Sequence, residues 1–143
     1  MSDAAAAAGA ATVLLVEDEF LVRLFAVDVL EDAGFRVLQA DTAAQGLQAL
    51  RAAPDVRAAI IDIGLPDRPG DRLAAEIQAE RADLPIVIAS GRSGRELREK
   101  FAESSRVAIL VKPYTARLLL EALAAVGVTP SDCGSIRPED SPA

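Results

Sequence analysis

The sequence predicts an α/β fold, a three-layer sandwich with five parallel strands between layers of helix. Three observations carry this. Short aliphatic runs alternate five times with segments of helical periodicity, the pattern of parallel strands joined by helical crossovers. The run Ala58–Ile61 is apolar throughout, as a strand covered on both faces must be. Polar or charged groups recur where the runs end, at Glu17-Asp18, Asp62, Ser90 and Lys112.

Residues 1–11 are Ala-rich and read as a disordered leader. Thr12–Val16 is the first strand and ends in Glu17-Asp18-Glu19. Phe20–Ala33 carries apolar residues at 22, 25, 26, 29, 30 and 33, a helical stripe that Gly34 closes. Arg36–Ala40 is the second strand. Thr42–Ala52 is a helix with Leu47 and Leu50 inward, stopped by Pro54. Ala58–Ile61 is a short buried strand with Asp62 where it runs out, and Gly64-Leu65-Pro66 turns the chain away. A helix over Gly70–Arg81 buries Leu73, Ala74 and Ile77. Leu84-Pro85 opens a fourth strand, Ile86–Ala89, ending at Ser90-Gly91. Arg92–Ala102 is a polar helix with Leu97 and Phe101 as its apolar pair. Val107–Val111 is the fifth strand, followed by Lys112-Pro113. Thr115–Val126 is the last helix, with Leu119, Ala122, Leu123 and Val126 on one face. The domain therefore covers 12–126, and the Pro-, Ser- and Asp-rich stretch 127–143 reads as a mostly disordered tail.

Composition narrows the function. The 143 residues fit one domain, and aromatics make up only 3%, so the core is aliphatic. A net charge of −7 disfavours nucleic acid and anionic lipid as partners. It suits a basic partner patch or a metal cation. No apolar run approaches the ~20 residues that span a bilayer. The single cysteine, Cys133, excludes an internal disulfide and fits a reducing, cytoplasmic setting. Histidine is absent, which removes the commonest general base and zinc ligand.

In a parallel sheet, strand ends of one sense share an edge, where open α/β sheets keep their ligands. Glu17, Asp18, Asp62, Ser90 and Lys112 should therefore converge. Three clustered carboxylates repel one another, and a divalent cation relieves the repulsion; all-oxygen ligands point to Mg²⁺ or Mn²⁺. A lysine and a hydroxyl beside them form a receptor for phosphoryl oxygens. A carboxylate can itself attack phosphorus and form an aspartyl phosphate, and Asp62 on the central strand is best placed to do so. Each group has a plainer alternative. Asp62 could cap a turn, Glu17-Asp18-Glu19 could favour a helix dipole, Ser90-Gly91 could be only a turn, and Lys112 could be a solvated charge. Their joint placement at strand ends favours the site.

Four motifs in order, Val13-Leu14-Leu15-Val16-Glu17-Asp18-Glu19, Asp62-Ile63-Gly64-Leu65-Pro66 with Gly70, Pro85-Ile86-Val87-Ile88-Ala89-Ser90 and Lys112-Pro113-Tyr114, resemble the receiver domain of two-component response regulators over about residues 12–126. The 44-residue step from Asp18 to Asp62 and the 22-residue step from Ser90 to Lys112 are similar to the family's. The resemblance implies a flavodoxin-like sheet of order 2-1-3-4-5 with five helices. It implies that Asp62 accepts a phosphoryl group from a histidine kinase or phosphotransfer protein. Asp18 would bind Mg²⁺ directly, Glu17 through water, and the Gly64 carbonyl would be a further ligand. Ser90 and Lys112 would hold phosphoryl oxygens, and Lys112-Pro113 would be a cis peptide. The protein would then be no enzyme beyond Mg²⁺-dependent self-phosphorylation and self-dephosphorylation, and a monomer or a phosphorylation-dependent dimer.

Departures from the family's pattern are specific. Glu17 stands where Asp is commoner, and Ile109 stands three residues before the lysine, where many members carry an aromatic switch residue. Gly64 and Arg92 occupy the positions two residues beyond Asp62 and Ser90 that affect the lifetime of the phosphoryl group. The first helix carries Phe20, Leu24 and Val27 beyond its core stripe, a candidate docking face for a kinase or phosphotransfer helix. Only a short polar tail follows the last helix, which suggests a stand-alone receiver signalling by protein contact or relay. The alternative is a metal-dependent phosphatase with an aspartyl nucleophile, whose usual Asp-x-Asp after the first strand is missing here. A dinucleotide or flavin site lacks its glycine-rich loop.

Overall fold

The computed structural model describes residues 10–91, 99 and 106–130. Apart from Glu99, the helix expected over 92–102 lies outside these residues, as do Arg92, Cys133 and most of the leader and tail. Among the described residues five strands and four helices follow in order: β1 (Thr12–Val16), α1 (Phe20–Asp32), β2 (Arg36–Ala40), α2 (Ala43–Ala52), β3 (Val56–Asp62), α3 (Gly70–Glu80), β4 (Ile86–Ser90), β5 (Val107–Val111) and α4 (Ala116–Ala125). All strand pairs are parallel, in the order β2-β1-β3-β4-β5.

Strand pleating sends alternate residues of β1 to opposite faces. Leu14 and Val16 join Leu47, Leu50, Leu73 and Ile77 from α2 and α3 on one face. Val13 and Leu15 join Ala26, Leu30, Leu119 and Leu123 from α1 and α4 on the other. Apart from Phe35, the buried side chains of both layers are aliphatic, and all five residues of β1 and of β4 are buried.

Three expectations need correction. β3 is longer than Ala58–Ile61; it runs from Val56, through the half-buried Arg57, to Asp62 itself. β4 likewise ends on Ser90 rather than before it. Both polar residues are thus held in regular strand hydrogen bonding, with Asp62 opposite Ala89 and Ser90 opposite Val111. Beyond these strands, two residues flanking 12–126 are also packed. Ala11 and Val128 are buried, and the Ala11 N–H donates to the Pro130 carbonyl at 2.9 Å.

Helix α1 is the third correction. Val27, expected on the outer face, is buried beside Ala26 and Leu30, whereas Phe25, expected inward, is 42% exposed. The exposed apolar set is Phe20, Leu21, Leu24 and Phe25. The helix stops just before Gly34, whose φ of 107° is costly for any residue with a Cβ.

Helix α2 has a second cap that local sequence does not announce. Thr42 Oγ1 accepts from the Gln45 N–H at 3.1 Å, as an N-cap should. Two further unpaired N–H groups of the first turn, those of Ala43 and Ala44, donate to the Asp67 carboxylate at 2.8 and 2.9 Å. Asp67 lies in the loop between β3 and α3, so this contact pins that loop to a different helix. Slight burial works against the Asp67 charge, but the N–H groups of Ala43, Ala44 and Asp67 itself, with the Arg68 charge, together outweigh it and hold the carboxyl below its usual value. A lowered carboxyl contributes stability above its unfolded pKa and loses it as pH falls through the folded value. Asp67→Ala should cost about 1 kcal/mol in chemical denaturation at neutral pH. The gap from wild type should close in strong acid; a gap that persists there would mean the carboxylate is not its source.

Candidate functional site

The carboxyl edge of the sheet gathers its polar groups from β1, β3, β4 and β5. Glu17 follows β1, and its N–H donates to the Ala40 carbonyl at 3.0 Å, which extends the β1–β2 pairing by one residue. Asp62 ends β3, Ser90 ends β4, and Lys112 follows β5. The Lys112 N–H donates to the Ser90 carbonyl at 2.7 Å, and Lys112-Pro113 is cis.

Three of these groups are buried polar residues: Glu17, Asp62 and Ser90 are 2%, 6% and 5% exposed. The Lys112 ammonium reaches into them. Its Nζ donates to Asp62 Oδ1 at 3.1 Å and to Glu17 Oε1 at 3.4 Å, and lies 3.9 Å from Glu19 Oε1. Asp18 is exposed, yet one of its carboxylate oxygens lies within 4.8 Å of oxygens from Glu17 and Asp62. The Gly64 backbone is beside the same carboxylate; a Cβ there would come within 3.7 Å of Asp62 Oδ2.

Burial pushes the Asp62 carboxyl above its usual value; the Lys112 bond and charge oppose this, and the Asp18 carboxylate adds to it. Burial raises Glu17 too, opposed by the Glu19 N–H and reinforced by Asp62. For Lys112, burial disfavours the charge, but Asp62 and Glu17 together outweigh it and raise its pKa. One ammonium thus faces two buried carboxylates, with a third at the rim. That leaves net negative charge in a site of hard oxygen donors, which fits a small divalent cation.

The sequence reading missed two supporting residues. Glu19 is more than a helix-dipole acid, since its N–H donates to Glu17 Oε2 at 3.1 Å and its carboxylate faces Lys112. Arg23, one turn along α1, donates from Nη1 to the Glu17 carbonyl at 2.8 Å. Its position four residues after Glu19 was the available signal. Ile109 is half-buried and packs on the core layer shared with α2 and α3. Tyr114 instead meets Phe25 at a ring-centroid distance of 6.1 Å, and burial pushes its hydroxyl up to about 12. Beside this pair a groove of about 410 Å³ runs between α1 and Lys112-Pro113-Tyr114.

The sheet order and this edge are those of a known family. Residues 13–124 match the response regulator receiver domain. The chain belongs to that family. It is 33% identical over 115 residues to the transcriptional regulatory protein PdtaR of Mycobacterium tuberculosis, covering 78% of this chain and 54% of that one. It is 28% identical to the sensor kinase CckA of Brucella abortus, covering 78% of this chain and 12% of the kinase. A receiver domain protein (CheY-like) from Methanospirillum hungatei superposes with a TM-score of 0.71 at 27% identity, covering 80% of this chain and 90% of that one. The chain thus spans about half the length of PdtaR and a small part of CckA. Receiver domains are signalling modules of two-component systems, found in regulators and in sensor kinases alike. Among the described residues no helix is long and apolar enough to cross a membrane.

Proposed function

We propose that this receiver accepts a phosphoryl group on Asp62 from a phosphohistidine of a kinase or phosphotransfer protein. The observation that carries the reading is the Lys112–Asp62 contact of 3.1 Å within a cluster of three carboxylates. Asp18, Glu17, Asp62 and the Gly64 carbonyl would hold Mg²⁺, or Mn²⁺ in its place. Bound there, the cation neutralises charge that develops on the transferring phosphoryl oxygens. One Asp62 carboxylate oxygen attacks phosphorus, the P–N bond to imidazole breaks, and the imidazole keeps the electron pair and takes a proton. Lys112 favours the ionised form of Asp62 against its burial and then pairs with a phosphoryl oxygen, while the Ser90 hydroxyl donates to another. Signalling follows by protein contact or by relay of the phosphoryl group.

Incubation with a small-molecule phosphodonor and Mg²⁺ should give one acid-stable, hydroxylamine-labile adduct per chain on wild type and none on Asp62→Asn. An adduct that persists on the variant refutes the assignment. Steady phosphomonoester turnover would favour the aspartyl phosphatase instead.

The donor would dock on the outer face of α1, where Phe20, Leu21, Leu24 and Phe25 are exposed and Leu21 and Phe25 line the groove beside Lys112. Leu24 is 53% exposed, so Leu24→Glu should slow phosphotransfer from the partner while leaving the melting temperature and small-donor labelling unchanged. Loss of stability in that variant would mark Leu24 as core.

A further inference from the structure

Asp18 is the acid of the carboxyl edge whose direction its own side chain does not fix. Glu17 and Asp62 are both held by Lys112, at 3.4 and 3.1 Å. The Asp18 carboxylate is exposed and has no hydrogen bond or ion pair among the described residues, yet one of its oxygens lies within 4.8 Å of theirs. Its backbone must therefore aim it, and a guanidinium one turn along α1 holds that backbone. We propose that Arg23 is a positioning residue for the carboxylates that would hold Mg²⁺: its bond to the Glu17 carbonyl fixes the Glu17-Asp18 peptide and, through it, the direction of Asp18. This role rests on the reading that the carboxyl edge holds a divalent cation.

Two planar peptide units flank the Asp18 Cα, and each is held by one bond. The carbonyl of the first, that of Glu17, accepts from Arg23 Nη1 at 2.8 Å. The N–H of the second, that of Glu19, donates to Glu17 Oε2 at 3.1 Å. Regular structure does not take over between them. Sheet pairing stops at the Glu17 N–H, which donates to the Ala40 carbonyl, and Glu19 opens α1 without a side-chain cap. Freeing the first unit opens rotation about the Asp18 N–Cα bond, and that rotation swings the carboxylate away from Asp62. Arg23 is itself well anchored. Its Nε donates to Gln39 Oε1 on β2 at 3.3 Å, and its guanidinium carbon lies 5.7 Å from the centre of the Phe20 ring. The guanidinium is thus braced between β2 and α1, and it makes a charge-assisted bond, stronger than one between neutral groups. Its backbone N–H donates to the Glu19 carbonyl at 2.9 Å, a contact that another helical residue at 23 would keep. A substitution there therefore removes the side-chain hold alone.

The test is Mn²⁺ binding by the full chain, followed through the loss of the free-ion EPR signal and scored as the component that Asp18→Asn removes. Beside it runs the Mg²⁺ dependence of Asp62 labelling by acetyl phosphate. Arg23→Met keeps an apolar stem but no donor. It should weaken Mn²⁺ binding by about tenfold or more, as removal of a group that orients a metal ligand does. Arg23→Lys, whose ammonium can still donate to the carbonyl, should recover most of that loss. Labelling of Arg23→Met should need correspondingly more Mg²⁺ yet reach the wild-type rate at saturation, with the melting temperature little changed. Wild-type affinity in Arg23→Met, an equal loss in Arg23→Lys, or a lower saturated rate at an unchanged Mg²⁺ requirement would each overturn the role of Arg23 and leave the metal site standing. A wild-type chain that binds no Mn²⁺ would overturn both together, so the two failures are distinct.

Discussion

Gly70→Ala should be among the most damaging single-methyl changes in this protein. A Cβ at position 70 would lie 2.2 Å from the Asp62 carbonyl oxygen and 2.8 Å from both the Asp62 carbonyl carbon and the Ile63 Cα. All three neighbours are backbone atoms, so no side chain can rotate away. The Gly70 N–H also donates to the Ile63 carbonyl at 2.8 Å, which closes the loop from β3 back onto the start of α3. Relief must come from moving α3 off the end of β3, and that movement breaks the closing bond and shifts Asp62. Alanine is the better helix former by about 1 kcal/mol, but at the first residue of a helix most of that gain is lost. Overpacking costs about 1–3 kcal/mol, and contact with fixed backbone places this change at the upper end of that range. The expected result is a lower denaturation midpoint together with slower labelling of Asp62 by a small phosphodonor. A variant as stable as wild type would show that the loop tolerates a wider turn than its geometry suggests.

What could be read in the sequence follows from which forces are local. β1, β2 and β5 were legible to the residue: β1 and β5 are unbroken apolar or β-branched runs, and β2 starts just after Gly34 and ends at Ala40 despite Arg36 and Gln39. β3 was not, since Arg57 interrupts the apolar signal at its first turn of pleat and only pairing with β1 keeps that end in the sheet. The convergence of Glu17, Asp18, Asp62 and Lys112 was legible because parallel topology alone sends those chain positions to one edge. Helix α1 shows the limit. It is apolar around much of its circumference, so composition could not say which side faces the sheet. Packing against β1 and β2 fixes the phase, which buries Val27 and turns Phe25 outward. The Asp67 cap is invisible for a related reason: the acceptor stands 24 residues from the first N–H it serves. Nor does any pattern of spacing reveal that Tyr114, rather than position 109, carries the aromatic contact next to the lysine.

Lys112→Met should destabilise the metal-free protein far more than Asp62→Asn, although both remove the same 3.1 Å contact. The difference lies in the charge left behind. Asp62→Asn leaves Lys112 its second partner, Glu17, at 3.4 Å, and lowers the repulsion among the acids. Lys112→Met leaves Glu17 and Asp62 buried and facing Asp18 with no cation between them. Breaking a buried pair so that a charge stays uncompensated costs about 3 kcal/mol or more. The pH dependence separates this from lost packing. Burial already raises both carboxyls above their unfolded values, and removing the ammonium raises them further. A raised acid costs stability once pH exceeds its unfolded pKa, and the cost grows until pH passes the folded value. The variant should therefore recover part of its deficit as pH falls from neutral into the acid range, as Asp62 and Glu17 take up protons. Wild-type Lys112, whose own pKa is raised, contributes its stabilisation throughout that range and loses it only above its usual alkaline value. Denaturant titrations of the two variants in EDTA at neutral and at acid pH decide the point. Equal midpoints for Lys112→Met at the two pH values would mean that the lysine fills space without holding the acids apart.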